Sequence, residues 1–212
     1  RLVCTMAIER IAVLGAGQMG NGITQVAAAA GYDVIMIDIE QEYVDKGLAT
    51  IQRSLAKLVS KERMSQEDAD ATLARISLAT DRSVCADCDL VVEAVPEILD
   101  LKTSIFVELD GICKPETILA SNTSSISIST IADATNRPDR VIGMHFMNPV
   151  PIMKLVEVIN GDKTSTETNA AVIEASAKMG KTALSCNDSP GFISNRILCP
   201  MLNEAILTLQ EG

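Results

Sequence analysis

The stretch that decides the fold is Ile11-Ala12-Val13-Leu14-Gly15-Ala16-Gly17-Gln18-Met19-Gly20. Its four leading apolar residues predict a short buried strand, and its glycines follow the G-x-G-x-x-G pattern. Residues 19–30 are rich in alanine and predict a helix, and residues 34–37 predict a second strand. Asp38 follows that strand, eighteen residues after Gly20. Strand, glycine loop, helix, strand and acid in this order are typical of a dinucleotide-binding unit.

The glycine loop predicts how a pyrophosphate binds. Gly15 makes the turn, Gly17 lets the pyrophosphate approach the backbone, and Gly20 lets the helix pack on the strand. The helix N-terminus offers free N–H groups to the anion. The cofactor-binding residues predicted in this loop are Gly15, Gly17, Gln18, Met19 and Gly20.

Asp38 predicts which dinucleotide binds. Its carboxylate is expected to accept hydrogen bonds from the adenosine ribose and to repel a 2′-phosphate, which favours NAD over NADP. The alternative interpretation of Asp38 is a solvated loop acid.

The rest of the chain alternates between the two element types. Further strands are predicted at 76–79, 90–95, 117–120, 141–145, 155–159 and 182–185. Helices are predicted at 42–59, from Ser65, at 101–113 and at 166–179, and a helical apolar stripe begins at Ile197. This pattern predicts an α/β fold with a doubly wound, mostly parallel Rossmann-type sheet. Residues 42–75 are expected to form an inserted helical hairpin that stands away from the sheet.

Composition narrows the class of protein. A net charge of −10 argues against nonspecific binding to nucleic acid or to an anionic membrane. No apolar run is long enough to cross a bilayer, and no signal peptide is evident, so a cytoplasmic protein with free thiols is expected. Cys85 and Cys88 form a lone C-x-x-C without zinc spacing, and no metal is predicted. Met6 is taken as the natural start, with residues 1–5 lying upstream.

His145 is the only histidine in 212 residues, and it stands at the end of a predicted strand in Gly143-Met144-His145-Phe146-Met147-Asn148-Pro149. Glu157 follows twelve residues later, as the one acid in an apolar run. A base that titrates near neutral pH beside a dinucleotide suggests redox chemistry on a hydroxyl group. The alternative is a structural histidine.

A polar segment, Asn122-Thr123-Ser124-Ser125, also follows a predicted strand. Ligands of an open parallel sheet bind outside the carboxyl ends of its strands, so this segment and His145 are expected to face one crevice with the cofactor. The alternative is an ordinary turn or helix cap.

Four motifs in order resemble those of the L-3-hydroxyacyl-CoA dehydrogenase family, in particular its bacterial 3-hydroxybutyryl-CoA form. They are the glycine loop, Ser121-Asn122-Thr123-Ser124-Ser125, His145-Phe146-Met147-Asn148-Pro149-Val150-Pro151 with Lys154-Leu155-Val156-Glu157, and Pro190-Gly191-Phe192-Ile193-Ser194-Asn195-Arg196. The resemblance implies that His145 is the general base and that Glu157 holds and stabilises its imidazole. It implies that Ser124 and Asn195 bind the reacting oxygen of the substrate. Glu97, Lys102, Asn122 and Asn148 correspond to positions near NAD.

The resemblance also implies a coenzyme A site and a domain division. Ser54 and Lys61 fall where the family contacts CoA, although an ordinary polar helix face is the alternative. Residues 1–187 are expected to be the NAD-binding domain, and residues 188–212 the first helix of a truncated C-terminal helical domain that makes a homodimer in the full-length parent. We therefore expect the 212-residue chain to bind NADH, to have little activity, and either to self-associate through the terminal helix or to leave that helix disordered.

The sequence thus predicts NAD-dependent oxidation of (3S)-3-hydroxyacyl-CoA to 3-oxoacyl-CoA, or the reverse, with short acyl chains. One alternative is a β-hydroxyacid dehydrogenase acting on a free acid with Lys154 as base. Another is a non-catalytic NAD-binding structural protein.

Overall fold

The computed structural model of the protein describes residues 7–212, which form an eight-stranded sheet in the order β3-β2-β1-β4-β5-β6-β7-β8. The strands are β1 (Arg10–Leu14), β2 (Asp33–Ile37), β3 (Ile76–Ala79), β4 (Leu90–Glu93), β5 (Ile118–Ser121), β6 (Val141–Phe146), β7 (Leu155–Asn160) and β8 (Thr182–Asn187). All neighbouring strands in the described part of the chain pair in parallel except β6 and β7. The Met6 start and the Cys4 thiol lie outside the described residues.

Helices cover both faces of the sheet. They are α1 (Gln18–Ala29), α2 (Gln41–Ser60), α3 (Gln66–Ala74), α4 (Leu99–Ile112), α5 (Ile128–Ala132), α6 (Thr166–Lys178) and α7 (Ser194–Glu211). Ile11 and Val13 of β1 pack with α1 on one face, whereas Ala12 and Leu14 pack with α4 on the other. Alternate residues of a strand point to opposite faces, and here both faces are buried. The prediction of a doubly wound, mostly parallel sheet is confirmed.

The helical hairpin exists, but it does not stand away from the sheet. Val44, Ile51 and Leu55 of α2 form a buried cluster with Met36 of β2 and with Ala16. The expectation of a detached hairpin is therefore wrong, because the apolar stripe of α2 is buried against the edge of the sheet and the start of α1.

Three short elements have no counterpart among the sequence predictions. They are α5 and the 3₁₀ helices Arg82–Asp87 and Pro138–Arg140. Each is six residues or fewer, too short for hydrophobic periodicity to indicate a helix.

Helix α7 forms as predicted, with an apolar stripe that remains open to solvent. None of its eighteen residues is buried, and large apolar side chains, among them Ile197, Met201, Ile206 and Leu209, are exposed. The division of the chain at residues 187 and 188 stays a prediction.

The described cysteines are free thiols. Cys85, Cys88 and Cys113 are buried, Cys186 is partly buried and Cys199 is exposed. Within residues 7–212, no cluster of three His, Cys, Asp or Glu side chains is arranged to hold a metal ion. No helix in that range has the length and apolar character needed to span a membrane.

Candidate active site

The glycine loop leaves β1 through a left-handed turn and enters α1. Gly15 has φ of 97°, and a Cβ there would lie 2.6 Å from the Ala94 carbonyl oxygen. A Cβ on Gly20 would lie 1.6 Å from the carbonyl oxygen of Gly15. Any side chain at either position would force the backbone apart, so these contacts require glycine.

Gly17, by contrast, faces open space. A Cβ built on it meets nothing within 4 Å, and Gly17 is the N-cap of α1 with no side chain capping that helix. The first N–H groups of α1 therefore point toward an open cleft, with the positive end of the helix dipole behind them. This opening fits a pyrophosphate, which needs close approach and hydrogen-bond donors.

Asp38 joins the end of β2 to the glycine loop. Its Oδ2 accepts from the backbone N–H of Ala16 at 2.7 Å, and its Oδ1 accepts from the N–H of Ile39 at 2.8 Å. Asp38 lines a cleft of about 590 Å³, together with Gly15, Gly17, Gln18, Met19, Ile39, Tyr43, Thr80, Arg82, Val95 and Pro96. The carboxylate is thus held in place at the wall of this cleft, which we call the dinucleotide cleft.

His145 and Glu157 form a buried pair on the antiparallel strands β6 and β7. They are cross-strand partners, and Nδ1 of His145 lies 2.8 Å from Oε2 of Glu157. The imidazole is 5% exposed and the carboxylate is fully buried. The ring of Phe192 packs edge-on against the imidazole, with centroids 5.9 Å apart.

The second oxygen of Glu157 has three donors at the N-terminus of α7. Oε1 accepts from the backbone N–H groups of Ile193 at 3.1 Å and Ser194 at 2.7 Å, and from the Ser194 hydroxyl at 3.0 Å. Burial alone would raise the pKa of Glu157. The Ser194 N–H, the His145 ring and the Ser194 hydroxyl outweigh that effect and hold this pKa below its ordinary value. Glu157 is therefore a carboxylate at neutral pH.

The loop that follows β5 contacts α7, and the carboxylate of Glu97 holds this loop in place. The side-chain amide of Asn195 donates to the carbonyl of Ser124 at 3.3 Å. Oε1 of Glu97 accepts from the N–H of Ser124 at 2.9 Å and from the hydroxyl of Thr123. Asn122 accepts from the N–H of Phe146 at 2.9 Å, which ties β5 to β6 beside the histidine. Ser124, Asn195, Glu97 and Asn122 are thus linked into one structure.

Lys102 is 1% exposed, and all three of its N–H donors have partners within the protein. Nζ lies 2.6 Å from Oε1 of Glu93, 3.2 Å from the carbonyl of Val95 and 3.2 Å from Oε2 of Glu97. The other oxygen of Glu93 accepts from Ser121 at 2.7 Å. Lys102 therefore supports Glu97 from inside, and any contact it makes with a cofactor requires exchange of one of these bonds.

A second cleft opens beside the glycine loop. Gln18 donates to the side-chain oxygen of Asn148 at 3.1 Å, and both residues line this cleft of about 490 Å³. Its wall on the hairpin carries Ser54, Arg53, Lys57, Lys61 and Arg63, and none of its lining residues is acidic. Four cations without an acid are notable in a chain of net charge −10. We call this the cationic cleft.

The structure thus pairs His145 with Glu157 and Ser124 with Asn195, and Ser194, the residue before Asn195, links the two pairs through its bonds to Glu157. It places Ser54, Lys61 and Asn148 in the cationic cleft. Lys154, the alternative base, is exposed and lines neither cleft.

Sequence reasoning missed several supporting residues: Glu93, Phe192 and Ser194 around the site, and Arg53, Lys57 and Arg63 in the cationic cleft. Glu93 carried a sequence signal as the one acid in the apolar strand 90–95, and Phe192 and Ser194 stood in the motif of residues 190–196 without a role being assigned to them.

A Rossmann-type sheet, an open glycine loop after β1 and a buried histidine–glutamate pair near the carboxyl end of β6 define a dinucleotide-dependent dehydrogenase. The sequence also matches the NAD-binding domain of 3-hydroxyacyl-CoA dehydrogenase over residues 10–189. The chain belongs to the 3-hydroxyacyl-CoA dehydrogenase family, and its cofactor is NAD.

Similar proteins agree with this assignment. The chain is 55% identical over 203 residues to a probable 3-hydroxybutyryl-CoA dehydrogenase of Deinococcus radiodurans, covering 96% of this chain and 73% of that protein. It is 51% identical over 205 residues to the 3-hydroxybutyryl-CoA dehydrogenase of Bradyrhizobium diazoefficiens, covering 97% and 70%. The crystal structure of (S)-3-hydroxybutyryl-CoA dehydrogenase from Ralstonia eutropha superposes with a TM-score of 0.95 at 48% identity, covering 97% of this chain and 73% of that one.

Proposed function

We propose that the protein interconverts (3S)-3-hydroxyacyl-CoA and 3-oxoacyl-CoA with NAD, and that it prefers short acyl chains such as 3-hydroxybutyryl-CoA. The observation that carries this proposal is the His145–Glu157 pair at 2.8 Å near the carboxyl end of β6, a strand that runs in the same direction as β1, whose carboxyl end opens into the glycine loop. The relatives named as 3-hydroxybutyryl-CoA dehydrogenases support the substrate class.

The charge of Glu157 sets the role of His145. A carboxylate only accepts hydrogen bonds, so Nδ1 of His145 carries the proton between them. Nε2 is then left with a free lone pair, and it takes the proton of the substrate 3-hydroxyl as general base. NAD, when bound, supplies the acceptor for the hydride that leaves the same carbon. Glu157 stabilises the imidazolium that results, and in reduction His145 returns the proton.

Ser124 and Asn195 are proposed to bind the reacting oxygen of the substrate. They approach each other from the β5 loop and from α7 and are 3.3 Å apart, and Ser194, the residue before Asn195, bonds Glu157 of the pair. Gly15, Gly17, Gln18, Met19, Gly20, Asp38, Glu97, Lys102, Asn122 and Asn148 are proposed to form the NAD site, with Asn148 at its border, because Asn148 lines the cationic cleft and bonds Gln18, which lines both clefts. Asp38 favours NAD over NADP because a second negative charge on the ribose would be repelled.

The cationic cleft is proposed to bind the nucleotide end of coenzyme A. That moiety carries several phosphates, and Lys61 with its cationic neighbours Arg53, Lys57 and Arg63 offers them charge-assisted hydrogen bonds. Ser54 adds a hydroxyl to the same wall. Since Gln18 belongs to both clefts, the acyl thioester reaches from the cationic cleft toward the histidine past the glycine loop.

We also propose that the protein forms a homodimer, and that it is located in the cytoplasm. The exposed apolar stripe of α7 supports the first part, because such stripes are association sites. Sedimentation velocity over a range of concentrations tests it, and a monomer at all concentrations contradicts it.

The decisive experiment follows NADH absorbance with acetoacetyl-CoA and with free acetoacetate in the full-length parent, because little activity is expected of the 212-residue chain. We expect turnover of the thioester alone. Turnover of the free acid that Lys154→Ala abolishes would favour a β-hydroxyacid dehydrogenase. Binding of NADH without turnover of either compound would favour a non-catalytic NAD-binding protein.

A further inference from the structure

Ser194 is the residue through which α7 holds the carboxylate of Glu157. Its hydroxyl lies 3.0 Å from Oε1, and its backbone N–H lies 2.7 Å from the same oxygen. The third donor, at 3.1 Å, is the backbone N–H of Ile193. The Ser194 hydroxyl is therefore the only one of the three donors to Oε1 that a substitution removes without disturbing the backbone.

A turn of unusual conformation brings these donors to Glu157. Gly191 and Phe192 both have positive φ, of 75° and 51°, and Phe192 is not a glycine. A non-glycine residue in this region is strained, and such strain is retained where the surroundings fix it. Here the Phe192 ring is buried against His145, and the N–H of Phe192 donates to the Ser189 carbonyl at 2.9 Å. The turn thus places α7 over the pair.

The planar carboxylate of Glu157 connects the N-terminus of α7 to the imidazole of His145. Fixing Oε1 with three donors fixes rotation of the group, so Oε2 can lie only along the direction that meets Nδ1 of His145. The helix dipole of α7 adds positive potential at the same oxygen. Glu157 in turn caps the N-terminus of α7, where no side chain of the helix does so.

We propose that Ser194 is a positioning residue of the dehydrogenase, whose hydroxyl holds the Glu157 carboxylate in the orientation that keeps the His145 imidazole aligned for proton transfer. This inference rests on the proposed roles of His145 and Glu157. It adds a side chain that touches neither the substrate nor the cofactor in that scheme.

The charged surroundings allow a pH profile to report on Ser194. The Cys186 thiol on β8 is the neighbouring titratable group, and burial first, then Glu157, raise its pKa to about 11, so it stays neutral through the working range. Glu97 lies beyond the Ser124 loop. Its burial raises its pKa, but the Thr123 hydroxyl and Lys102 outweigh this and hold it low. Arg196 of α7 is exposed and permanently charged. The acid limb of kcat/KM therefore belongs to the His145–Glu157 pair.

The test compares Ser194→Ala with Ser194→Thr and Thr208→Ala. Ser194→Thr keeps a hydroxyl, and Thr208 is a matched control because its hydroxyl bonds only within α7, to Glu204 at 2.9 Å. For Ser194→Ala we expect kcat to fall about tenfold, as for loss of one hydrogen bond to a charged group. We also expect the acid limb to move to higher pH, because a carboxylate with fewer donors holds the shared proton more tightly. The dissociation constant of NADH stays unchanged.

Recovery in Ser194→Thr and normal values in Thr208→Ala would establish the role. A Ser194→Ala enzyme with unchanged kcat and pH profile overturns it, as does one that only loses thermal stability. If His145→Gln is also fully active, the proposed function itself fails. If His145→Gln is inactive while Ser194→Ala is normal, only the role of Ser194 fails.

Discussion

Oε2 of Glu157 lies 2.8 Å from Nδ1 of His145 because strands β6 and β7 run antiparallel and pair these two residues directly. In a parallel pair of strands, two residues separated by twelve positions would lie at different levels along the strand direction and would not face each other. The one antiparallel pairing among the described strands is therefore what assembles the proposed base and its partner.

Replacing His145 by glutamine removes the proposed base. We expect His145→Gln in the full-length parent to bind NADH normally and to lose about 10²–10⁴-fold in turnover, the usual cost of losing one general base. Fluorescence titration with NADH and steady-state kinetics on acetoacetyl-CoA measure the two quantities. Near-normal turnover would rule out His145 as the base.

Glu157→Gln removes the charge of the partner and keeps its shape. Turnover is expected to fall by about 10²–10⁴-fold, because the imidazolium loses its counter-charge and the amide does not fix the tautomer. The acid limb of kcat/KM should move to lower pH, since the protonated pair is less stable. The exposed Glu116→Gln serves as control. An unchanged profile in Glu157→Gln would show that the pair does not act together.

The fold was predictable because its signals are local. The β1 strand, the glycines and Asp38 follow one another within 28 residues, and each follows from periodicity or turn chemistry. The packing of α2 was not predictable in the same way. Its apolar stripe shows that one face is buried but does not show which surface covers it, so the contact with Met36 required the structure.

The candidate site was likewise predictable only in part. His145 and Glu157 stood out because each is a single polar residue in an apolar strand. Ser194 did not, and Lys102 was identified only through the resemblance, because a serine or a lysine on a helix is ordinary in sequence. Their importance comes from contacts across 37 and 9 positions of the chain, to Glu157 and Glu93.

Asp38 is expected to determine cofactor choice. Asp38→Ala should weaken NADH binding by about tenfold or more through loss of a charged hydrogen-bond acceptor. It should also reduce the preference for NADH over NADPH. Asp38→Asn tests the charge with the shape nearly unchanged, because the amide oxygen keeps an acceptor for the Ala16 N–H, while the charge and the acceptor for the Ile39 N–H are lost. Dissociation constants for both cofactors provide the measurement. Equal losses for NADH and NADPH would mean that Asp38 does not discriminate.

Lys61 is expected to act on the nucleotide end of the substrate. Lys61→Gln should raise KM for acetoacetyl-CoA about fivefold, because one charge-assisted contact with a phosphate is lost. The KM of a short acetoacetyl thioester without the nucleotide should not change. Lys46→Gln is the control, because Lys46 lies on α2, the helix that ends just before Lys61, but pairs with Glu42 at 2.6 Å and does not line the cleft. An equal effect of Lys61→Gln on both substrates would place Lys61 outside the coenzyme site.

Asp188 joins the end of β8 to α5, and its contribution to stability should depend on pH. Its Oδ2 accepts from the Ser127 hydroxyl at 2.7 Å and from the Ser129 N–H at 2.8 Å. Burial raises the pKa of Asp188, but these donors outweigh it and hold that pKa below the ordinary value of 3.8. A carboxyl whose pKa is lower in the folded state stabilises above its ordinary pKa, and the effect is lost as pH falls through the folded value.

Asp188→Asn should therefore lower the free energy of unfolding by about 1–2 kcal/mol at neutral pH, where the carboxylate accepts both bonds. The difference from the unsubstituted protein should shrink as the pH falls below the ordinary value, because both proteins then carry a neutral side chain at this position. Urea denaturation at about pH 7 and about pH 3 measures it, with m-values compared to confirm that the same surface is exposed. A difference of constant size at both pH values would show that the shape of Asp188, and not its charge, holds α5 to the sheet.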